Sequence, residues 1–289
     1  MNLLAPAKIN LSLRILRKRP DQFHEIESVM LPISLCDELT LTLTSPESGL
    51  QLTCSDPSLP TDDSNLVYRA ARLFFEHAGQ APAATLHLHK SIPHGAGLGG
   101  GSSDAASTLS GLNTALGRPL SAETLHAIAA ALGSDVPFFL KGGAALCRGR
   151  GEQVEPYAFT EKLPLLLVKP GFSIPTPWAY QQWQGSSELP DIPYGVQKLP
   201  FGELVNDLER PVFEKHLFLA VLKRWLLRQP ETLGALMSGS GSTCFAVLRD
   251  AADGPTLEAR VKAAFDDPWT ALCQTLTQHP PVPPTPVRA

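Results

Sequence analysis

The run Pro93-His94-Gly95-Ala96-Gly97-Leu98-Gly99-Gly100-Gly101-Ser102-Ser103-Asp104 constrains this chain more than any other stretch, because five of the nine positions from Gly95 to Ser103 are glycine. Glycine loses more conformational freedom on folding than any other residue, so such a run is destabilising unless its backbone shapes are needed. Alternation in Thr85-Leu86-His87-Leu88-His89-Lys90 predicts a strand before it, and the residues from Ser103 to about Leu116 predict a helix after it. Strand, glycine loop and helix together form a phosphate cradle. Glycine lets the backbone approach an anion and turn its N–H groups inward, and the helix N-terminus adds partial positive charge. The bland alternative is a glycine-rich turn that binds nothing. The run is not a Walker A loop, since no Gly-Lys-Ser/Thr follows. Gly95-x-Gly97-x-x-Gly100 satisfies the dinucleotide fingerprint, but the region about 20 residues on, where that motif places an acidic residue after a strand, reads as a helix start. No His-Arg-Asp or Asp-Phe-Gly follows, which argues against a protein kinase.

Composition narrows the partners. The chain has 289 residues, enough for about two domains. Hydrophobic residues make up 43%, so a sizeable core is available. Net charge is −4 and no Lys/Arg cluster stands out, which argues against nucleic acid. The five cysteines are widely spaced, odd in number and lack any C-x-x-C, so reduced thiols in a cytoplasmic protein are expected rather than disulfides or zinc. No apolar stretch nears the roughly 18 residues that span a membrane, and no signal peptide is expected at the N-terminus.

Residues 8–15 alternate with period two, which predicts a strand with Ile9, Leu11, Leu13 and Ile15 inward and Lys8, Asn10 and Ser12 on the other face. Spacing alone leaves that polar face an ordinary solvated one. The segment Arg17–His24 reads as a turn with a packed aromatic. Strands are expected at 38–44 and 50–54, with a turn at 45–49. A helix from Asn65 to Gly79 has Ser64 as candidate N-cap, and a second from Ala122 to Leu132 has Ser121. Asp135, after a helix and before Pro137, would by itself merely cap a turn. His87 and His89 share a strand face and lack further ligands nearby for a metal. In the second half, 164–170 predicts a strand, Pro177 a helix start, and Asn206–Glu209 a helix end broken by Pro211. Phe213–Leu227 predicts one long amphipathic helix, and Leu236–Phe245 two strands about a glycine-serine turn. The proline-rich end is expected to be extended or mobile.

Pro93-x-x-x-Gly97-Leu98-Gly99-Gly100-Gly101-Ser102-Ser103 resembles the ATP loop of the GHMP small-molecule kinases. Pro6-Ala7-Lys8-Ile9-Asn10-Leu11 resembles the first motif of that family, and Ser238-Gly239-Ser240-Gly241-Ser242 the third. Arg19-Pro20-Asp21-Gln22-Phe23-His24 and Asp135-Val136-Pro137-Phe138-Phe139 are similar to motifs of one branch, the 4-diphosphocytidyl-2-C-methyl-D-erythritol kinases. The chain departs from that branch at Gln22, where Gly is usual, and at Phe23, where Tyr is usual. The exchange of Gly for Gln22 suggests a turn that does not need φ > 0.

The resemblance implies an α+β, two-domain GHMP kinase fold, with a ribosomal-protein-S5-domain-2-like N-terminal domain over 1–152 and a ferredoxin-like α/β domain over 153–275. A proline-rich tail over 276–289 completes the chain, and the active site would lie in the cleft between the domains. The implied reaction is ATP-dependent phosphorylation of a cytidine diphosphate methylerythritol, with Mg²⁺. Lys8 and Asp135 are the implied catalytic residues. ATP would be held by Pro93, His94, Gly95, Ala96, Gly97, Leu98, Gly99, Gly100, Gly101, Ser102 and Ser103, with Asn65, Leu66 and Lys90 near the adenine. Ser103 is also a candidate for the metal. Substrate would meet Asn10, Phe23, His24, Tyr180, Ser238 and Gly239, with cytosine sandwiched between Phe23 and Tyr180. A monomer or weak homodimer is expected, without nucleic acid or membrane partners. Homoserine or mevalonate kinase activity, or a non-catalytic nucleotide-binding protein of the same fold, are the alternatives.

Overall fold

The structure, a computed structural model, describes residues 1–280. It opens with two long antiparallel strands, β1 (Asn2–Lys18) and β2 (His24–Leu43), paired from Asn2↔Thr40 to Lys18↔His24. Register shifts at Pro6/Lys8 and Asn10/Ser12 flank the two polar residues Lys8 and Asn10. Such shifts bend a strand and re-aim its side chains. The polar face is not solvated as the alternation alone suggests: Lys8 is 3% exposed and Asn10 is fully buried. In the hairpin turn Gln22 sits at φ 68. The turn therefore keeps the left-handed conformation, contrary to the expectation drawn from the missing glycine. A non-glycine residue there costs roughly 1–2 kcal/mol. The turn is held by Arg19 N–H to Phe23 C=O (2.8 Å) and by Phe23 N–H to Asp21 Oδ1 (3.1 Å).

β3 (Leu50–Cys54) does not return along β2 but pairs in parallel with β4 (Ala84–His89), which pairs antiparallel with β2. The helix between them, α1 (Leu66–His77), is capped by Asn65, whose side chain accepts the Val67 N–H. Ser64, the predicted cap, instead donates to Asp62 (2.6 Å). The glycine run leads into α2 (Gly100–Ala115), which starts before the predicted Ser103 because left-handed Gly99 already turns the chain into it. Then come α3 (Ala122–Leu132), capped by Ser121, and the short α4 (Val136–Lys141) directly after Asp135. β5 (Ala145–Gly149) pairs with β2, and β6 (Gln153–Pro156) with β5. This hairpin straddles residue 152, so the sheet does not divide at the expected boundary.

The second half contributes β7 (Pro164–Lys169), α5 (Thr176–Gln182), β8 (Gln197–Leu199) and β9 (Gly202–Asn206). β9 runs parallel to β1 through Ser12↔Val205 and Leu13↔Asn206, which extends the first sheet to eight strands. Asn206 thus ends a strand, and Pro211 lies in the first turn of a new helix, α6 (Glu209–Lys215), where its missing N–H has no helical partner to lose. The predicted single helix over 213–227 is two, because α6 stops at His216 (φ −117) before α7 (Leu217–Leu227). β10 (Thr232–Met237), β11 (Cys244–Leu248), α8 (Gly254–Ala264) and β12 (Trp269–Gln274) follow. The second sheet has the order β10-β11-β7-β12 and is antiparallel throughout. Ile9, Leu11 and Leu31 of the first sheet share a buried core with Leu165, Leu236 and Phe245 of the second. Burial of each such side chain contributes about 1.5–3 kcal/mol, and it locks the two sheets together around the cleft.

The start of the proline-rich tail is packed rather than loose. Leu276 N–H donates to Pro32 C=O (2.8 Å), and the His279 ring lies against Phe138 and Phe139. Residues 281–289 of the expected mobile segment lie outside the described residues.

Candidate active site

A cleft of about 760 Å³ is lined by β1, the first hairpin, the glycine run, Asp135, α5 and the Gly239 turn. At its centre the Lys8 ammonium donates to Asn10 Oδ1 (2.7 Å) and lies 3.7 Å from Asp135 Oδ2. Asn10 Nδ2 donates to Ser28 Oγ (2.7 Å), and Ser28 donates to the Ser12 carbonyl (2.6 Å). This chain of bonds fixes the amide so that its oxygen faces Lys8. The Lys8 side chain is 4% exposed while that of Asp135 is 31% exposed, so the ammonium is held inside and the carboxylate faces the cleft. Asp135 makes no side-chain cap bond to α4, which leaves its oxygens to the cleft.

One wall of the cleft is backbone. Gly95, Gly97 and Gly99 all have positive φ (63, 75 and 72), and the first N–H groups of α2 have no intrahelical acceptor. Lys8 N–H donates to Leu98 C=O (2.9 Å), which fastens the loop to β1. A Cβ on Gly97 would lie 2.2 Å from the Ser238 carbonyl, so the two glycine loops touch backbone to backbone. Thr243 N–H to Ala96 C=O (3.1 Å) and Ser238 Oγ to Gly97 C=O (3.0 Å) complete this seam. Ser238, expected at the substrate, is therefore a fully buried tie between loops and does not line the cleft; Gly239 and Ser240 do. Ser103 likewise lies beneath the lining, in the first turn of α2.

Asn65, Leu66 and Lys90 line the cleft beside this wall, but two of them are already committed. The Asn65 amide donates to Pro60 C=O (2.7 Å) while capping α1. The Lys90 ammonium donates to Asp37 and to Asp104 Oδ2 (2.9 Å), both buried. Asp37 also accepts the Ser91 and Ile92 N–H groups, so this triad moors the entry to the glycine run. Burial pushes the Asp104 carboxyl up to about 8, opposed by Lys90 and reinforced by Asp37.

The other end of the cleft is aromatic. The rings of His24 and Tyr180 stack at 5.4 Å, with Trp183 edge-on to His24 at 6.1 Å. Tyr180 thus packs on His24, and both line the cleft together with Phe23. Phe23 is 48% exposed, and the Arg150 guanidinium lies 4.6 Å from its ring centre. Burial, with Lys18 nearby, depresses the His24 imidazole below its ordinary value, so it is neutral at pH 7. Burial, then Asp135, pushes the Tyr180 phenol well up, so it stays a proton donor. Sequence reasoning missed Arg150, which sits in a polar connection without periodic signal, and the Thr176–Ser240 hydroxyl pair (2.8 Å), whose partners are 64 residues apart. It also missed Asp37, hidden in what reads as an ordinary strand end.

Both halves match one class of small-molecule kinase. Residues 65–143 match the GHMP kinases N terminal domain, and residues 197–267 match the GHMP kinases C terminal domain. A 4-diphosphocytidyl-2-C-methyl-D-erythritol kinase of Methylacidiphilum infernorum is 45% identical over 256 residues, 86% of each chain. One from Synechococcus sp. (strain JA-2-3B'a(2-13)) is 40% identical, covering 90% of this chain and 87% of the relative. A crystal structure of 4-(cytidine 5'-diphospho)-2C-methyl-D-erythritol kinase, 35% identical, superposes with a TM-score of 0.77 over 95% of this chain and 99% of its own. The chain belongs to the 4-diphosphocytidyl-2-C-methyl-D-erythritol kinase family of the GHMP kinases.

Proposed function

We propose that this chain transfers the γ-phosphoryl of ATP to the 2-hydroxyl of 4-diphosphocytidyl-2-C-methyl-D-erythritol, a step of the non-mevalonate route to isoprenoid precursors. The observation that carries this reading is the Lys8–Asp135 pair, 3.7 Å apart at the mouth of the glycine cradle. Phosphoryl transfer depends on positioning and charge neutralisation more than on covalent chemistry by the protein. The glycine run and the α2 N-terminus would hold the β- and γ-phosphates. Asp135 would accept the hydroxyl proton as the new O–P bond forms and ADP departs. Lys8 would sit as an ion-pair partner beside Asp135 and offset charge on the transferring group. Asn10, its orientation fixed by Ser28, would align the substrate diol.

Mg²⁺ fits this chemistry, since it takes oxygen donors and the Ser103 hydroxyl is buried without a hydrogen-bond partner. The Ser103 hydroxyl, just beneath the lining, would hold the ion from below, and the ion when bound would neutralise phosphate oxygens. At the far end His24, Tyr180, Phe23 and Arg150 would form the cytidine side, where a flat aromatic base suits the stacked rings. That end supports the cytidylated acceptor over homoserine or mevalonate. The five free cysteines suit a reducing cytoplasm.

The test is ATP consumption against a panel of 4-diphosphocytidyl-2-C-methyl-D-erythritol, homoserine and mevalonate. Turnover confined to the first supports the reading; preference for either of the others overturns it.

A further inference from the structure

We propose that Asn206 is a positioning residue for phosphoryl transfer, setting the Gly239 turn over the Lys8 ammonium and against the glycine cradle. The proposal rests on the kinase reading above. Asn206 is the last residue of β9 and is 3% exposed. Its Nδ2 donates to the Met237 carbonyl (2.7 Å) and to the Gly239 carbonyl (2.8 Å), and its Oδ1 accepts the Leu208 N–H (2.9 Å). Both amide hydrogens and the amide oxygen are thus engaged, so the planar group has one orientation.

What the amide grips is the part of the second glycine loop nearest the reacting centre. Gly239 is buried at φ +55, and a Cβ there would lie 3.1 Å from both Lys8 Nζ and the Gly97 carbonyl, and 3.6 Å from Asn10 Oδ1. The turn after Met237 is built of Ser and Gly, Ser238-Gly239-Ser240-Gly241-Ser242, with no large side chain to root it in the core. Its serines tie it at Gly97, Thr176 and Phe172 (3.0, 2.8 and 2.6 Å), while its carbonyl side is held from outside. Asn206 takes the carbonyls, and Glu209 Oε1 accepts the Met237 N–H (2.9 Å) on the strand that leads into the turn.

The other side of Asn206 is tied to the strand that carries Lys8. Leu13 pairs with Asn206, Asp207 N–H donates to the Leu13 carbonyl (2.9 Å), and Asp207 Oδ2 accepts the Ile15 N–H (2.8 Å). Asn206 therefore couples β1 to the turn that roofs Lys8. It does not itself line the cleft. Removing the amide leaves two buried carbonyls without a donor, and the turn must shift to find replacements. The consequence falls on the placement of Lys8 and the cradle rather than on substrate contacts.

The experiment compares Asn206→Ala and Asn206→Asp with Asn113→Ala by steady-state kinetics and thermal melting. Asn113 is a matched control: its amide also bonds a backbone, at Leu120 (3.0 and 3.2 Å), but at the far end of α2. Asn206→Ala is expected to lower kcat about 100-fold, the scale of a 1 Å misplacement, with KM for ATP and acceptor within about threefold. Asn206→Asp, which sets a carboxylate oxygen against two carbonyls, should lose more. Asn113→Ala should lower the melting temperature and leave kcat near the parent value. If Asn206→Ala does not fold, Asn206→Gln, which keeps the amide donor on a stem one methylene longer, carries the test and should show a smaller fall in kcat. A kcat within about threefold of the parent in a folded Asn206 variant, with only the melting temperature lowered, overturns the proposal. A parent that phosphorylates homoserine or mevalonate instead overturns the acceptor reading alone, and the Asn206 comparison is then read on that acceptor.

Discussion

At the glycine end of the cleft, one contiguous run presents backbone N–H groups, and no side chain between Gly95 and Gly101 makes a polar contact of its own. At the aromatic end, Phe23, His24, Arg150 and Tyr180 come from three separate segments and present side chains to the cleft. Behind the first end the seam has no spare volume: the loops touch backbone to backbone at Gly97. The second is graded, from the stacked His24–Tyr180 pair to the half-exposed Phe23. A backbone site fails as a unit when one atom is added. A side-chain site weakens contact by contact.

The sharpest way to break that contrast is Gly97→Ala. Its Cβ would lie 2.2 Å from the Ser238 carbonyl at φ +75, so both loops must move. Turnover with ATP should fall by at least about 100-fold, measured as kcat/KM for ATP. A mild loss would mean that the seam yields and the cradle is not rigid. Tyr180→Ala comes next. It removes the stacking platform and should raise KM for the acceptor about 30-fold, equivalent to about 2 kcal/mol, with KM for ATP unchanged. Phe23→Ala, acting on an exposed ring, should raise it only about fivefold. Equal effects at the two positions would show that the aromatic end is not graded. The smallest effect is expected from Gln22→Gly. Relief of the left-handed conformation offset by added chain entropy should stabilise the fold by less than about 1 kcal/mol in denaturant melts, with kinetics unaltered.

The same contrast explains what could be read from the chain. The glycine loop was legible because its left-handed backbone is carried by a local run whose composition has few other uses. The alternation around Lys8 and Asn10 located their strand, but not their burial. That depends on the second half of the chain closing over the first sheet. Asp135 stood out through its motif, whereas its distance from Lys8 is a product of the fold. The aromatic end was only partly visible. His24 and Tyr180 were identified, yet their stacking on each other was not, because 156 positions separate them and no periodicity links such a pair. Gln22 misled for a related reason: residue identity suggests a conformation, but the Asp21 and Arg19 bonds around the turn decide it. Asn206 read as the end of a helix because Pro211 looked like a terminator when it was an initiator.

Where the two ends meet, Asp135 is the proposed proton acceptor beside Lys8. Asp135→Asn keeps the shape of the side chain and removes its basicity. With Asp135→Asn, kcat should fall by about 10²–10⁴-fold, the range that general-base catalysis supplies, while the dissociation constant for ATP measured by calorimetry stays within about threefold of the parent. A variant that retained kcat within about threefold would contradict the assignment and leave the pair a binding feature only.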